Sequence, residues 1–575
     1  TWNMPSQIQE NWEAYQDKET GGQTLNMYGY GDGGSGCTEE MLEMIRRFDK
    51  VSVMPKIEVT GGDAFLHKNL KDNTNLATWD GELYLEMHRG TFTTKSNLKK
   101  ANRTLEFKLR ETELRAALAS LTGASYPSEE LTECYKKFLL NQFHDILPGS
   151  HIHPVYEDAM NDYRSVSKRL DAMLALTAGN EYFNSLNFTR SSITFIEDEN
   201  GTVTRHGVKG FWSIPALAGL STGTVAALPS KKNWLNTEFC DKCGCLVVET
   251  PYYRAKLSSD GSFVSLYDKE LDREWIKEGC GFNKLHLYAD NPGVYDAWDI
   301  LPNYKDVQVA LNIDKPLALV SSDGSSAEFT VTFTTEKSTW KMILRFFADS
   351  RAIEVENVVD WDEKHKLVKV NFGPDVLTRE LVCDTSAGFV KRDLTKNTSW
   401  QQARFEVCHH KWCDMSESGS GIAIINEGKY GVGLEKDEIS LSLLRATIRP
   451  DITSDIGHHD FCYTILPHSG DAVEAQVNKT AMEYNVPLCK SNVTVPAALR
   501  DTLNNCGLYL QAMKCSEDGQ YLILRLSEQD GRRGKIAFPF EVQTMNLIED
   551  IEGSTKVISY HPFELITVAV KPEDL

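Results

Sequence analysis

Long hydrophobic runs, internal repeats and low-complexity tracts are missing from this chain of 575 residues. No apolar stretch reaches the ~18–20 residues that a bilayer-spanning helix requires, and no signal peptide is visible at the start. Basic residues are also scarce, because 61 lysines and arginines face 82 acidic residues and leave a net charge of −21. A surface this acidic repels phosphate backbones and anionic lipids, so we expect neither nucleic acid nor a membrane as a partner. Neutral sugars would tolerate such a surface.

The 13 cysteines form no disulfide framework, since their number is odd and their spacing is irregular. Reduced thiols in a cytoplasm explain this pattern better than disulfides in a secreted protein, so the sequence predicts a cytoplasmic location. Cys240, Cys243 and Cys245 resemble part of a zinc knuckle. Structural zinc requires four ligands and no second pair lies nearby, so we favour a hairpin turn at Asp241-Lys242-Cys243-Gly244.

The chain is too long for one hydrophobic core, because domains usually run ~100–200 residues. Its first 60 residues have an α/β pattern, with extended runs predicted at Thr24–Tyr30 and Val51–Val59. A helix is predicted between them, from the N-cap Thr38 to Phe48. These are one or two βα units without the rest of their sheet, because a parallel sheet needs crossover helices on both faces. A small α+β appendage is the alternative.

Residues 95–178 predict a bundle of three amphipathic helices. Apolar residues recur there at spacings of three and four, and short turns rich in Gly and Pro separate the helices. Pro127 opens the second helix, which we expect to stop at Leu147-Pro148-Gly149.

From about Ile193 the hydrophobic period changes to two, which is typical of strands. About 380 residues with this pattern predict antiparallel sheets stacked in more than one β-sandwich, and therefore a multidomain α+β chain. Turn signals separate the strand-like runs at Ser259-Asp260-Gly261, Ser322-Asp323-Gly324, Glu517-Asp518-Gly519 and Gln529-Asp530-Gly531.

A glycine-rich loop at Tyr28–Gly36 is the first candidate site. Tyr30 can stack on a pyranose ring, Asp32 can bind hydroxyls or transfer a proton, and the glycines allow close approach. A plain turn is the alternative interpretation.

The segment Trp79–Thr91 is the second candidate. Polar and apolar residues alternate in it, so a strand would place four polar side chains on one face. A solvated edge strand is the alternative. The four polar residues are Glu82, Tyr84, Glu86 and His88.

Two further segments combine polar and aromatic residues. In Asn141–Gly149, His144 lies near the predicted end of the second helix, where a neutral imidazole could bind zinc and Asp145 could hold a substrate. A protonated histidine at a helix C-terminus is the alternative. In Tyr295–Asp299, an aromatic and acidic cluster could contact a sugar, whereas a core tryptophan with surface acids is the alternative.

Taken in order, these segments resemble glycoside hydrolase family 38, the α-mannosidases. The chain carries a Gly-Asp-Gly-Gly loop, then Gly-Glu-Leu-x-Leu-Glu-x-His-Arg-Gly-Thr, then Asn-Gln-Phe-His-Asp-x-x-x-Gly-Ser and a long all-β tail. The tail contains Tyr295–Asp299 and Ser440–Ala446. The resemblance spans nearly the whole chain, and it is closer to the cytosolic, vacuolar and bacterial branch than to the Golgi or lysosomal one.

The resemblance implies four domains and a multidomain α+β fold. They are a remnant of an α/β catalytic barrel at 1–62, a three-helix bundle at 63–180, a large β-sandwich region at 181–480 and a small terminal β-sandwich at 481–575.

The resemblance also implies a retaining hydrolysis of α-mannosides, in which an aspartate attacks the anomeric carbon and a carboxylic acid protonates the leaving oxygen. One zinc ion, bound by two histidines and two aspartates, would contact the mannose. His144 matches the last of the zinc-ligand histidines, and Asp32 lies where the family places its proton donor. The expected substrate-binding residues are Tyr30, Glu86, His88, Arg89, Asp145, Tyr295, Asp296, Trp298, Asp299 and Arg445.

The family's His-x-Asp motif and its nucleophilic aspartate are absent from the chain. We therefore expect the remaining zinc ligands in an N-terminal segment that is missing here, and we expect the chain alone to be inactive on mannose-containing oligosaccharides. A non-catalytic carbohydrate-binding or accessory β-sandwich protein is one rival. A glycosidase that uses Glu82 or Glu86 is another, and self-association into a homo-oligomer stays open.

Overall fold

The computed structural model of the chain describes residues 3–32, 34–48, 50–72 and 75–575. The chain divides into two compact units, Thr1–Tyr84 and Leu85–Leu575. Within the described ranges, no helix is both long enough and apolar enough to cross a membrane.

Ten α-helices and four 3-10 helices occur in the described residues. The α-helices are Pro5–Ala14 (α1), Lys18–Gly21 (α2), Glu39–Phe48 (α3), Gly62–Asp72 (α4), Ser96–Ser120 (α5), Ser128–Leu140 (α6), His153–Ala175 (α7), Ser399–Ala403 (α8), Val477–Asn485 (α9) and Ala497–Leu503 (α10). The 3-10 helices are Arg89–Phe92, Gly293–Tyr295, Tyr304–Asp306 and Pro572–Asp574.

In the part of the chain that the structure describes, the strands all follow α7. The first half are Glu181–Asn184 (β1), Thr194–Glu197 (β2), Val203–Arg205 (β3), Val208–Ser213 (β4), Ser221–Gly223 (β5), Asn236–Cys240 (β6), Cys245–Glu249 (β7), Tyr253–Leu257 (β8), Phe263–Asp268 (β9), Arg273–Glu274 (β10), Phe282–Ala289 (β11), Gln308–Val309 (β12), Asn312–Ser322 (β13), Ser326–Thr334 (β14) and Thr339–Phe347 (β15). The others are Ile353–Trp361 (β16), Lys366–Phe372 (β17), Glu380–Thr385 (β18), Gly388–Asp393 (β19), Glu406–Cys408 (β20), Trp412–Glu417 (β21), Ser420–Asn426 (β22), Gly431–Leu434 (β23), Ile439–Ala446 (β24), Gly457–Ser469 (β25), Cys489–Ser491 (β26), Tyr509–Cys515 (β27), Leu522–Ser527 (β28), Gly534–Met545 (β29), Ile551–Tyr560 (β30) and Leu565–Val570 (β31).

The first unit contains α1–α4 and, among its described residues, no strand. The helix predicted after Thr38 is confirmed, and the Thr38 hydroxyl accepts a hydrogen bond from Met41 N at 3.2 Å, as an N-cap does. The extended runs predicted at Thr24–Tyr30 and Val51–Val59 are wrong as strands, because both segments are irregular. A strand requires a partner for its backbone groups, and the described part of this unit provides only an isolated bridge between Tyr30 and Ser35.

Helices α5, α6 and α7 share a hydrophobic core, which contains Leu98, Leu105, Leu109, Leu131, Cys134, Phe138, Ala159, Tyr163, Val166, Leu170 and Met173. The predicted end of the second helix is wrong, because α6 stops at Leu140 and not at Leu147. The residues between Leu140 and α7 instead form a series of turns that carries His144.

The β region is built on two large antiparallel sheets. One has nine strands in the order β13-β14-β15-β16-β25-β22-β21-β18-β19, and the other has six in the order β12-β11-β17-β24-β23-β20. Phe372 of β17 meets Tyr463 of β25 edge to face at 5.9 Å, and the Tyr463 hydroxyl donates to Asn283 of β11. These buried contacts join the two sheets, as in the predicted stacking of antiparallel sheets.

All four predicted turn signals separate strands. Their glycines adopt positive φ angles of 77° at Gly261, 86° at Gly324, 71° at Gly519 and 74° at Gly531. The turns connect β8 to β9, β13 to β14, β27 to β28 and β28 to β29.

The last sheet covers the second face of α5. Its order is β27-β28-β31-β29-β30. Leu114 and Leu118 of α5 lie in one core with Leu499 of α10 and with Leu524 and Val568 of this sheet. Because α5 is buried on two sides, it is a fixed support for the loop that follows α6.

Candidate active site

The loop Asn141–His151 connects α6 to α7 and is anchored by hydrogen bonds from Lys99 of α5. The buried Lys99 ammonium donates to Leu147 O at 2.9 Å and to Pro148 O at 3.1 Å. It also donates to Thr94 O at 2.5 Å, next to the start of α5. Burial lowers the pKa of Lys99 to about 7. One side chain of α5 thereby fixes the far end of the loop through two of its carbonyl groups and connects them to Thr94.

Gly149 allows the loop to approach α5 closely. Its φ angle is +88°, and an added Cβ would lie 2.6 Å from Thr94 O and 2.8 Å from Lys95 Cγ. Only glycine satisfies both the backbone conformation and this contact. The loop path therefore depends on a residue that the sequence analysis noted only as a helix terminator.

His144 and Asp145 lie on the exposed side of this loop. The His144 side chain is 77% exposed, and its Nε2 lies 3.4 Å from Asp145 Oδ2. Asp145 Oδ1 accepts hydrogen bonds from Ser150 Oγ at 2.6 Å and from Trp298 Nε1 at 3.3 Å. Asp145 O lies 3.0 Å from His151 Nδ1. The carboxylate of Asp145 is thus oriented, and the imidazole of His144 faces outward.

The helix-terminus interpretation of His144 loses its basis. Since α6 ends at Leu140, His144 lies beyond the last helical turn, where the effect of the helix dipole fades. The Phe143 ring stacks at a tilt against the imidazole, with 4.2 Å between the ring centroids.

Tyr295 and Trp298 add aromatic surface beside Asp145. Tyr295 is 68% exposed, and its ring meets Trp298 at right angles with a centroid distance of 6.3 Å. The indole N–H of Trp298 on Asp145 connects this segment to the loop. An exposed ring next to an oriented carboxylate suits a ligand with both apolar faces and hydroxyl groups.

Arg89 lies beneath the same segment and is buried. Its backbone N–H donates to Asp299 Oδ1 at 3.3 Å, and its guanidinium donates to Ala403 O at 3.0 Å. The guanidinium also stacks over the Phe405 ring at 4.5 Å. Arg89 therefore supports Asp299 from inside the protein.

Arg445 of β24 is fully buried behind this segment. Its guanidinium donates to Asp290 Oδ2 at 2.5 Å, to Thr94 Oγ1 at 3.2 Å and to Ala297 O at 3.3 Å. A Cβ on Gly90 would lie 2.2 Å from Arg445 Nη1, so the Gly90 backbone packs directly on the guanidinium.

Asp296 is also fully buried. Its Oδ2 accepts hydrogen bonds from the backbone N–H groups of Ile448 at 2.5 Å and Arg449 at 3.2 Å, and it lies 3.3 Å from His365 Nε2. Like Arg445, Asp296 contacts other groups of the protein, and it fixes the segment Tyr295–Asp299 from its buried side.

The strand predicted at Glu82–His88 is wrong, because residues 75–88 contain no strand. Leu83 and Leu85 are 83% and 59% exposed, so the alternation of the sequence does not correspond to a buried and an exposed face. His88 has a positive φ angle of 61° and precedes the 3-10 helix. Glu86 and His88 are both exposed.

The first candidate loop belongs to the other unit. Ser35 N donates to Tyr30 O at 3.3 Å, and Gly34 N donates to Gly31 O at 3.1 Å, which closes a tight turn around the exposed Asp32. Gly33 of the predicted motif lies outside the described residues.

Sequence reasoning missed the buried charges at the start of α5. Lys95 pairs with Asp451, and each side chain is 2% exposed. Asp455 accepts hydrogen bonds from Lys95 N at 2.6 Å and Ser96 N at 2.7 Å, so it caps the helix. Burial would raise the pKa of Asp451, but hydrogen bonds from Lys95 and Thr453 hold it at about 2. No local signal reveals this pair, because its members are 356 positions apart.

A second cluster combines histidine, glutamate and cysteine. Among the described residues, His206, Glu427 and Cys462 are the one group placed closely enough to share a metal ion. However, His206 Nε2 lies 2.7 Å from Glu427 Oε1 and Nδ1 lies 2.9 Å from Asp460 Oδ2. Burial lowers the pKa of His206, but these carboxylates outweigh it and raise the pKa to about 12. Histidine binds a metal ion in its neutral form, so a protonated His206 favours an ion-pair network over a metal site.

Family models match the chain in four consecutive segments. They are the glycosyl hydrolases family 38 N-terminal domain at residues 2–82, the alpha mannosidase middle domain at 86–179, the glycosyl hydrolases family 38 C-terminal domain at 248–453 and the family 38 C-terminal beta sandwich domain at 507–568. The chain belongs to glycoside hydrolase family 38. In this family 38 chain, His144 and Asp145 fall in the middle-domain match, and Tyr295–Asp299 falls in the C-terminal match.

Relatives of this family 38 chain include mammalian and fungal proteins. It is 29% identical to Alpha-mannosidase 2C1 of Mus musculus over 568 residues, which cover 92% of this chain and 53% of that protein. It is 30% identical to Alpha-mannosidase 2C1 of Homo sapiens, with 90% of this chain and 51% of that protein covered. The identity to Alpha-mannosidase of Saccharomyces cerevisiae is 32%, with 81% and 43% covered. The chain thus spans about half the length of the curated relatives it matches.

A solved structure supports the fold. The crystal structure of an alpha-mannosidase from Enterococcus faecalis V583 superposes with a TM-score of 0.71 at 12% identity, and it covers 93% of this chain and 75% of that one. The family 38 fold of the chain therefore rests on both sequence and structure.

Proposed function

We propose that the chain supplies one side of the active site of an α-mannosidase, which releases terminal α-linked mannose from oligosaccharides with retention of configuration. The observation that carries this proposal is the exposed His144 and oriented Asp145 on an anchored loop, beside the aromatic surface of Tyr295 and Trp298. Membership of family 38 supports the same substrate class.

The residues of the site divide into two groups in this proposal. Asp145 would accept hydrogen bonds from sugar hydroxyls, while Tyr295 and Trp298 would contact an apolar face of the ring. Glu86 and His88 are exposed and are proposed to contact the sugar, as is Tyr30. The buried residues Arg89, Asp296 and Arg445 would fix the positions of these groups, together with Asp299, whose side chain is 25% exposed.

The described residues can supply only part of the ligand set that the family's zinc ion needs. The exposed imidazole of His144 can accept a metal, but the described residues place no set of three ligating side chains around it. We propose that His144 provides one ligand of a zinc site and that the other ligands come from residues outside those described. No step of the reaction is assigned to the metal.

Asp32 is our proposal for the proton donor. A retaining hydrolysis needs two carboxyl groups on opposite sides of one glycosidic bond, and Asp32 lies exposed on a tight turn in the family's N-terminal domain match. The second carboxyl group, the nucleophile, is not assigned to any residue of this chain.

We also propose a cytoplasmic location and the four-domain order predicted from the sequence. The 13 cysteines form no disulfide in the described residues, which is typical of a reducing compartment. The matches at 2–82, 86–179, 248–453 and 507–568 follow the predicted order of domains.

A non-catalytic carbohydrate-binding protein is the second candidate. The observation that favours it is the lack of a complete ligand set around His144 in the described residues, because Tyr295, Trp298 and Asp145 could bind a sugar without zinc.

The test is hydrolysis of a chromogenic α-mannoside with added zinc, measured on this chain and on the complete natural polypeptide. We expect turnover from the complete polypeptide and its loss in the His144→Ala variant, together with weaker zinc binding by calorimetry. The matched control is His153→Ala, which removes a half-exposed histidine at the start of α7. Sugar binding without turnover in the complete polypeptide would favour the second candidate.

A further inference from the structure

The hairpin formed by β6 and β7 places three cysteines at its tip. Cys240 ends β6 and is paired in register with Cys245, which begins β7. The turn between them carries Cys243, and Gly244 N closes it by donating to Cys240 O at 2.9 Å. Strand β6 is the edge strand of a five-stranded sheet, so the tip is open to solvent on that side. This arrangement confirms the hairpin that the sequence favoured over a zinc knuckle.

The three thiols interact with one another. Hydrogen bonds from the thiols of Cys240 and Cys245 lower the pKa of Cys243, and Lys256 adds to the effect. Cys245 Sγ donates to Cys243 O at 3.3 Å. Cys243 is exposed, whereas Cys240 is half-buried and Cys245 is buried. The most accessible thiol is therefore also the one whose thiolate its neighbours stabilise.

Eight other cysteines differ in this respect. Burial raises the thiol pKa of Cys134, Cys280, Cys408, Cys413, Cys462, Cys489, Cys506 and Cys515. Thiols of this kind are inert toward disulfides and peroxides, because the thiolate is the reactive form. Cys37 is exposed like Cys243, but it lies in the other unit.

We propose that the hairpin tip is a thiol–disulfide exchange site, in which Cys243 attacks low-molecular-weight disulfides and Cys240 resolves the product. The proposal is independent of the mannosidase activity, since it uses none of the residues assigned to the sugar.

The reaction balances with the external disulfide as oxidant. The Cys243 thiolate attacks one sulfur of R–S–S–R, which forms a Cys243–S–S–R bond and releases RS⁻. Cys240 then loses its proton and attacks Cys243 Sγ, which forms the Cys240–Cys243 disulfide and releases a second RS⁻. The two cysteines are oxidised by two electrons, and R–S–S–R is reduced to two RSH after protonation.

Cys240 is the better resolving residue for two reasons. Cys245 is only 4% exposed, and burial with the neighbouring Cys243 raises its pKa to about 11. Cys240 is more accessible, and its hydrogen bond is the largest cause that lowers the pKa of Cys243.

The test uses oxidised glutathione on the intact reduced chain, followed by alkylation of free thiols and peptide mass mapping. We expect the peptide with residues 240–245 to lose two hydrogen atoms as a Cys240–Cys243 disulfide before any other cysteine is oxidised. In Cys240→Ser we expect a glutathione adduct to accumulate on Cys243, and in Cys243→Ser we expect loss of both products. Cys37→Ser is the matched control and should change neither.

Three results would overturn the proposal. One is glutathionylation of Cys37 while the hairpin stays reduced, and another is a disulfide between Cys243 and Cys245. The third is protection of all three hairpin thiols from alkylation by added zinc, which would identify a metal site. Circular dichroism of each variant separates these outcomes from misfolding.

Discussion

Two loops of this molecule were predicted as parts of one sugar site, yet the structure holds them in different ways. Loop Tyr28–Gly36 is a tight turn, with backbone hydrogen bonds between its own residues at Tyr30–Ser35. Loop Asn141–His151 also lacks regular structure, but side chains from distant elements fix it, above all the buried Lys99 and the half-buried Trp298. Both loops contain a glycine at positive φ and an acidic residue.

The difference shows that a loop without helix or strand can still be rigid. Each carbonyl that secondary structure would have paired in Asn141–His151 needs another donor when it is buried, and Lys99 supplies one for two of them. A functional residue on such a loop keeps its geometry because its support is packed and hydrogen-bonded. Four experiments sharpen this contrast, in order of decreasing effect.

The largest effect is expected from Gly149→Ala. The new methyl group would meet Thr94 O at 2.6 Å and force a positive φ on alanine, so we expect a loss of about 4 kcal/mol in the free energy of unfolding. The control is Gly34→Ala, whose φ is +64° but whose Cβ would have nothing within 4 Å. That change should cost about 1 kcal/mol. Urea unfolding measures both, and equal losses would contradict the contrast.

Lys99→Met should have the next largest effect. It leaves Thr94 O, Leu147 O and Pro148 O without their cationic donor, and we expect a loss of about 3 kcal/mol. Hydrogen exchange should rise in the amides of residues 144–149 more than in α7. The exposed Lys168→Met on α7 is the control and should change neither quantity. Unchanged exchange in residues 144–149 would show that Lys99 does not anchor the loop.

The pair of Lys95 and Asp451 should make stability depend on acid. The folded-state pKa of Asp451 is about 2, below its ordinary value of 3.8, so its contribution is complete above about pH 4. This contribution is lost as the pH falls toward 2, and it amounts to about 2 kcal/mol. Urea unfolding at these two pH values measures the free energy of unfolding. Between them, this free energy should fall by about 2 kcal/mol less in Asp451→Asn than in the unchanged chain. The same fall in the free energy of unfolding in both proteins would exclude a role for Asp451.

Ser150→Ala should have the smallest effect. It removes the 2.6 Å hydrogen bond to Asp145 Oδ1 and should cost about 1 kcal/mol. The side chain of Asp145 keeps its bond from Trp298, so a double-mutant cycle with Trp298→Phe should show a coupling between the two sites. Strict additivity would mean that the two donors orient Asp145 independently. Thr104→Ala on the exposed side of α5 is the control.

Local features of the chain were predictable because their causes are local. The N-cap Thr38 and the four Gly-containing turns depend on a few neighbouring residues, and both were confirmed. The alternation of polar and apolar residues at Glu82–His88 indicated a strand that the structure does not have. Such a pattern stabilises a strand only when a neighbouring strand and a core cover it. The end of α6 was misjudged for a similar reason, since Pro148 ends a helix at the latest but does not prevent an earlier stop.

By itself, the sequence determined the order of helical and β regions, the turns between strands and the segments that carry His144, Asp145 and Tyr295–Asp299. Only the tertiary structure decided which charged residues are buried, as Lys99, Arg445 and Asp451 are. A lysine or aspartate in a sequence indicates surface, because burying an unpaired charge is costly. The partners that make burial possible lie hundreds of positions away, as Lys95 and Asp451 do at a separation of 356. No local pattern can therefore predict them, and the fold alone brings them together.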